Sequence, residues 1–254
     1  MKTSYLFLLI PLQIACNKEK LFDGPNNYAD DFSSYDNINE LIENENENWS
    51  FFQKTYASNV LSIDTNIYHS AGKSFKSYAM PTAEAFGASK ASINKQFMAF
   101  WANETVLIEA WYYIEDTASA NWLFLFDLEE KTNIGAGPGM RLAMVNNQLR
   151  VEHKYPNPDI LQLEGSEINV PRNQWVNIKM AVKLSQEKSG NVKVWQDDKL
   201  ILHQDKWQTL PKDILYVLQG TKGMYSQIEF GVTANSSENA MTVYVDDIAI
   251  SVID

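Results

Sequence analysis

Glu109, Trp111 and Tyr113 stand at alternate positions, as do Arg150, Glu152 and Lys154, with Arg141 a short way upstream. Alternation along an extended segment puts each set on one side of its strand. Aromatic rings offer faces on which sugar C–H bonds stack, and guanidinium and ammonium groups pair with carboxylate or sulfate oxygens. Together these residue types make the chemistry of a carbohydrate-binding groove. The grouping requires that both segments belong to one concave sheet and turn the same way. On the other reading they are a solvated face with incidental aromatics. Trp195, on the Lys193 side of its own segment, is a second platform or a ring packed beneath a loop.

The elements that must position these residues are strands. Thr105 to Ile114 alternates, with Val106, Ile108, Ala110, Tyr112 and Ile114 inward. Trp122 to Leu128 is nearly continuous apolar, as a buried strand is. Met140 to Val145 and Gln148 to Tyr155 flank Asn146-Asn147, and Asn191 to Gln196 and Lys199 to His203 flank Asp197-Asp198. Both patterns predict tight hairpins. Trp175 to Leu184 alternates with Val176, Ile178, Met180, Val182 and Leu184 inward, and the ring of Trp175 or its neighbours is expected to help fill the core. Gln227 to Thr233 and Met241 to Val252 close the chain. At least eight strands and no convincing long helix predict an all-β, two-sheet antiparallel sandwich of jelly-roll type. Asp36 to Asn48, rich in Asn and Glu, reads as a short helix or a loop.

The chain has 254 residues, 45% of them hydrophobic and 12% aromatic, enough for one large core. Formal net charge is −11. Such a field repels nucleic acid, which is excluded as a partner. The N-terminus pairs Lys2 with an apolar run from Leu6 to Leu12, too short to span a bilayer, followed by Ile14-Ala15-Cys16. Cys16 is the single cysteine, so no internal disulfide is possible. This layout resembles a bacterial lipoprotein signal, in which the cysteine becomes the lipid-bearing N-terminus. The charged stretch Asn17-Lys18-Glu19-Lys20 resembles the surface-export signal of Bacteroidetes lipoproteins. The expected organisation is a signal peptide over 1–15, a lipid-anchored tether over 16–29 and a jelly-roll domain over 30–254. The expected location is the bacterial outer membrane or cell surface, with the lipid as the only membrane contact.

The order of later motifs carries a second resemblance. Pro171-Arg172-Asn173-Gln174-Trp175-Val176-Asn177-Ile178 precedes Gly190-Asn191-Val192-Lys193-Val194-Trp195, then Gly223-Met224-Tyr225, then Val243-Tyr244-Val245-Asp246-Asp247-Ile248. This resembles concanavalin A-like jelly rolls, notably heparin lyase I-type and alginate lyase-type polysaccharide lyases and laminin-G-like carbohydrate-binding modules. Gly223-Met224-Tyr225-Ser226-Gln227 resembles the Gly-x-Tyr-x-Gln part of an alginate-lyase motif. The resemblance implies a catalytic role for Tyr225, with His153 as the nearest histidine to serve beside it. Alternation, however, puts His153 on the Val151 side, away from Arg150. Lys222 stands one position closer than the family lysine, and the Gln-Ile-His and Arg-x-Glu-x-Arg motifs do not occur. Asp246-Asp247 is either edge polarity or part of a structural calcium site, since calcium takes oxygen ligands. No other cofactor is expected.

Other chemistries lack their residues. The sequence has no Glu-x-Asp-x-x-Glu glucanase signature, no His/Cys metal cluster, no Gly-x-Ser-x-Gly elbow and no phosphate-binding glycine loop. The expected function is polysaccharide capture at a surface. The alternative is cleavage of a uronate-containing glycan by β-elimination, and a third reading is a structural or protein-binding lipoprotein.

Overall fold

The structure is a computed structural model that describes residues 24–44, 48–82, 87–115, 120–130, 139–153, 158–210 and 224–253. Cys16, Lys154, Lys222 and Gly223 lie outside the described residues. Among the described residues sixteen strands follow one another: β1 (Tyr28–Asp30), β2 (Phe51–Lys54), β3 (Val60–Asp64), β4 (Ser74–Ala79), β5 (Ser89–Lys95), β6 (Phe100–Trp101), β7 (Thr105–Ile114) and β8 (Asn121–Glu129). Then come β9 (Gly139–Val145), β10 (Gln148–His153), β11 (Trp175–Lys183), β12 (Gly190–Gln196), β13 (Lys199–Trp207), β14 (Met224–Tyr225), β15 (Gln227–Asn235) and β16 (Met241–Ile253). The Asn- and Glu-rich segment holds one 3₁₀ turn, Ile38–Ile42, capped by Asn37.

Two antiparallel sheets face each other. One has eight strands, β13-β12-β11-β7-β16-β4-β3, with β1 also paired to β16; the other has six, β10-β9-β8-β15-β5-β2. The core between them follows from alternation. Val106, Ile108, Tyr112, Val176, Ile178, Met180, Val192 and Val194 face inward from the large sheet, and Ile93, Phe126, Leu142, Met144, Val151, Ile228 and Phe230 from the small one. This is the jelly-roll sandwich that the strand pattern predicts. The hairpin turns are as their residues require: Asn146 and Asn147, and likewise Asp197 and Asp198, all have positive φ. Two consecutive left-handed residues make a turn whose twist matches that of the flanking strands.

The N-terminal end is pinned by β1, whose Tyr28 pairs with Ile250. Asp30 accepts hydrogen bonds from Trp49 Nε1 (2.8 Å), Tyr35 Oη (2.9 Å) and Phe32 N (2.8 Å). Among the described residues the first strand therefore begins at Tyr28, and Pro25 O just before it accepts from Ala99 N at 2.9 Å.

Two strands depart from simple alternation. β8 carries register shifts between Asn121 and Leu123 and between Phe124 and Phe126. Trp122 there has φ +66, a left-handed conformation that bulky residues rarely adopt. The bulges let Leu123, Leu125, Phe126 and Leu128 all reach the core while Trp122, Phe124 and Asp127 turn away from it. β15 shifts register between Phe230 and Ala234 around Gly231, φ +107. A Cβ at Gly231 would sit 2.9 Å from the Phe75 ring, so only glycine lets the strand lie that close. Trp175, expected near the core, instead lies partly exposed on the outer side of the large sheet.

Candidate active site on the outer face of the six-stranded sheet

The predicted groove residues do not meet. Glu109, Trp111 and Tyr113 are on β7 and Trp195 on β12, all in the eight-stranded sheet; Arg141, Arg150 and Glu152 are on β9 and β10 in the six-stranded one. Each set turns away from the shared core, so the two sets lie on opposite outer faces of the sandwich. The alternation within each strand holds, but the assumption that the strands share a sheet does not. Non-local pairing decided it, because β7 lies between β11 and β16.

On the eight-stranded face the side chains satisfy one another. His69 stacks on Trp111 with ring centres 3.8 Å apart, and Trp175 packs edge-on to Tyr113 at 5.7 Å. Glu109 accepts from Asn177 Nδ2 at 3.0 Å and lies 3.5 Å from Lys179 Nζ. Trp195 pairs with Lys179 on one side and Leu200 on the other. Asp246 and Asp247, at a bulge in β16, clamp the segment that carries His69. Asp246 Oδ2 accepts from the backbone of His69 (2.8 Å) and Ser70 (3.0 Å), while Oδ1 accepts from Asp247 N (2.8 Å). Asp247 bonds Ser70 Oγ and lies 2.6 Å from His69 Nδ1. Burial raises the Asp246 carboxyl to about 6. A calcium ion at this pair would have to displace these donors. Among the described residues no group of three or more His, Cys, Asp or Glu side chains is arranged to hold a metal.

The six-stranded face is different. One straight row crosses the whole sheet: Phe51, Asn94, Glu229, Asp127, Arg141 and Glu152 are successive cross-strand partners. Directly opposed residues have Cβ atoms about 5 Å apart, so Glu229 and Asp127 place two carboxylates side by side. Glu229 is wholly buried. Ser92 Oγ donates to it, and Lys90 Nζ lies 3.3 and 3.4 Å from its two oxygens. Burial, offset by Lys90 and reinforced by Asp127, pushes its carboxyl up to about 7. Gln227 Nε2 donates to Glu129 (2.8 Å) and to Asn94 Oδ1 (3.0 Å), and Gln96 donates to Gln227 (2.7 Å). Asn94 is buried and its Nδ2 has no partner.

The Arg141 end opens into a cavity of about 580 Å³ lined by Gly87, Ala88, Trp122, Phe124, Arg141 and Glu152, among others. Arg141 lies over the Phe124 ring at 4.6 Å and Arg150 over Trp122 at 4.8 Å. Arg141 pairs with Glu152 at 3.3 Å and Arg150 with Asp159 at 3.2 Å. Arg141, Arg150 and Glu152 thus do stand together beside aromatic rings, but the rings are Trp122 and Phe124. Trp122 reads in sequence as structural; the bulge at its own position turns it outward.

Tyr225 and His153 are elsewhere. Both are buried on the core side, and both reach one backbone oxygen: Tyr225 Oη donates to Thr209 O at 2.6 Å, and His153 Nε2 lies 3.4 Å from it. Tyr225 and His153, which the resemblance implies as catalytic partners, thus share the Thr209 carbonyl as a neighbour on the core side, away from the groove residues.

A polysaccharide lyase family model matches residues 46–249. The chain belongs to the polysaccharide lyase family. Its fold is shared with solved structures of low identity, which speak to fold alone. An endo-β-1,4-glucuronan lyase from the fungus Trichoderma reesei superposes with a TM-score of 0.63 at 15% identity, over 81% of this chain and 91% of that one. The cellulose-induced protein Cip1 gives 0.58 at 17% identity, covering 88% and 96%. The alginate lyase Aly36B gives 0.56 at 10%, covering 90% and 98%. No curated protein sequence matches the chain.

The central residues of this face, Glu229, Asp127 and Lys90, are ones the sequence reading passed over. A signal for them exists. Asp127-x-Glu129 and Gln227-x-Glu229 place polar residues at alternate positions inside otherwise apolar strands, and buried charge in such strands usually marks a site.

Proposed function

We propose that this protein is a polysaccharide lyase that cleaves a uronate-containing glycan by β-elimination on the outer face of its six-stranded sheet. The observation that carries this reading is the row in which Arg141 and the Lys90–Glu229 pair interleave cations with carboxylates, beside an aromatic cavity. β-Elimination removes the C5 proton of a uronate, forms the C4–C5 double bond and expels the glycosidic oxygen at C4. Arg141 and Arg150 are placed to neutralise the uronate carboxylate, which makes the C5 proton easier to remove. Glu152, partly exposed beside Arg141 in the cavity lining, is the group placed to take that proton. Lys90 stands further along the row, its partly exposed ammonium held by the buried Glu229 carboxylate, and is the group placed to give the departing oxygen its proton. Polysaccharide capture, the binding half of the sequence reading, becomes the first step of this reaction.

The products carry a conjugated double bond that absorbs in the near ultraviolet. Incubation with a panel of uronate polymers should give rising absorbance that Arg141→Ala abolishes. No rise on any uronate polymer removes the lyase reading.

The anchor belongs to the same proposal. Cys16, after the Leu6 to Leu12 run, carries lipid and holds the enzyme at the outer membrane or cell surface. Cells fed a palmitate analogue should label the protein and not its Cys16→Ser variant; equal labelling of both overturns the anchor.

A further inference from the structure

The six-stranded sheet ends at β10, and the segment over residues 158–170 returns along that edge. It is tied at both ends. Val151 N donates to Ile160 O at 3.1 Å and Ile160 N to Val151 O at 2.8 Å, while Val170 N donates to Asn147 O at 2.7 Å. Between these ties its shape is fixed from within. The buried Gln162 side chain accepts from Ile168 N (2.8 Å) and donates to Ile168 O (3.0 Å), and Ser166 N closes a turn on Leu163 O (3.0 Å). Strand and segment enclose a second cavity, of about 290 Å³, lined by Gln148, Arg150, Leu161, Glu164 and Glu167, among others.

Three observations fit this cavity to a sugar ring. The first is its place. Glu152, the last member of the cross-strand row, stands on the same edge strand, so a glycan laid along the row leaves the sheet over β10. The second is its neighbour. Arg150 lines this cavity and lies over the ring of Trp122, which lines the larger one, so a single side chain joins the two. The third is its walls. Leu161, 57% exposed, offers an apolar surface to sugar C–H bonds, and the Gln148 amide and the exposed Glu164 and Glu167 carboxylates are hydrogen-bonding groups for hydroxyls. Asp159 already balances the Arg150 charge, so this cavity recognises shape and hydroxyls, not a free cation's partner. Its volume, at the lower end of small-ligand pockets, suits one ring.

We propose that the cavity between β10 and residues 160–168 is a distal sugar subsite, which takes one further ring of the glycan chain beyond those in the reaction cavity. The consequence for turnover rests on the lyase reading; the binding of the ring does not. Binding energy gained at a remote ring is used at the reacting centre, so chains long enough to fill both cavities are the preferred substrates.

Full-length protein is assayed on size-fractionated oligosaccharides of alginate and of glucuronan, from about two to about ten sugars, by near-ultraviolet absorbance and by calorimetric affinity. On whichever series reacts faster, kcat/KM should rise about tenfold at one chain length and level off beyond it. Leu161→Ser with Glu164→Ala should lower the ratio of long-chain to short-chain kcat/KM about fivefold or more. Leu163→Ser, on the same loop but outside the cavity lining, should leave that ratio within about twofold. No step in chain length overturns the subsite, as does an unchanged ratio in the folded double variant, checked by a cooperative melt. An equal fall in Leu163→Ser overturns it too, because the loop and not the cavity is then being read. Absence of product from both series with the same step in affinity, lost in the double variant, keeps the subsite and removes the lyase reading for these polymers. Product without a step keeps the lyase and removes the subsite, and affinity for no length removes both.

Discussion

The two outer faces of this sandwich are built from the same ingredients and behave as opposites. Each has tryptophan, carboxylate and a cation within a few ångströms. On the eight-stranded face Trp111 is covered by His69, three of the four oxygens of Asp246 and Asp247 are bonded to the segment that carries it, and the fourth accepts from Asp247 N. On the six-stranded face the guanidiniums lie against rings that line an open cavity, two carboxylates are set side by side, and an amide donor is left over. Residue type alone does not make a site. A closed network stabilises the fold, and one with unspent hydrogen-bonding capacity and room beside it can bind.

The sharpest way to break this contrast is to strip each face in turn. Arg141→Ala with Arg150→Ala should lower glycan retention and turnover by about 100-fold or more, the scale of a lost charge-assisted anchor. Trp111→Ala should leave both within about twofold and lower Tm by a few degrees, since it removes a stacked ring from a packed cluster. If Trp111→Ala costs the larger share of retention, the site is on the wrong face.

Next in size is the clamp. Asp246 accepts three backbone N–H groups, and its replacement leaves them without that acceptor. Asp246→Ala should cost about 2–3 kcal/mol in urea unfolding, with retention unchanged in folded protein. A loss of retention at full stability would tie the clamp to the site.

A third effect is pH-dependent. Burial raises Glu130 to about 8, only partly countered by Ser226, and Glu229 to about 7, both from 4.5. The native state therefore holds more protons than the unfolded chain above pH 4.5. The stabilisation is complete below that value and is lost as pH rises through about 7 and 8. Urea midpoints should fall between pH 5 and 8. Glu130→Gln, just past the end of β8, should recover roughly 1 kcal/mol at pH 8 and flatten part of the slope. A midpoint that rises over this range contradicts the burial of both groups.

Much of the fold was legible in the sequence because alternation and turn chemistry are local. β7, β11 and the two hairpins with left-handed Asn and Asp pairs lie where those patterns put them. The site was legible only in pieces. Arg141, Arg150 and Glu152 share a face because a hairpin joins their strands, and local pairing can be read. Whether β7 joins them depends on partners far along the chain, which no local pattern fixes. The bulges of β8 hide Trp122 and Asp127 inside a run that reads as uniformly buried, since a bulge shifts the parity on which the reading relies.

The smallest expected effect concerns Tyr225, and it decides whether motif or geometry is the better guide. The Gly-x-Tyr-x-Gln match implies a catalytic hydroxyl, yet the ring is wholly buried and its hydroxyl donates to Thr209 O. Phenylalanine keeps the ring and removes that hydrogen bond, leaving the carbonyl with its contact to His153. Tyr225→Phe should therefore lose about 1 kcal/mol of stability, the usual worth of a buried hydrogen bond, and keep its rate on a uronate polymer within about threefold. A catalytic hydroxyl behaves differently, since losing a positioned proton-transfer group costs roughly 100-fold or more with little change in stability. Melting curves and near-ultraviolet rates on the same preparation distinguish the two patterns. A collapsed rate with an unchanged melt would move the site to the Tyr225–His153 pair and leave the Glu229 row a structural network.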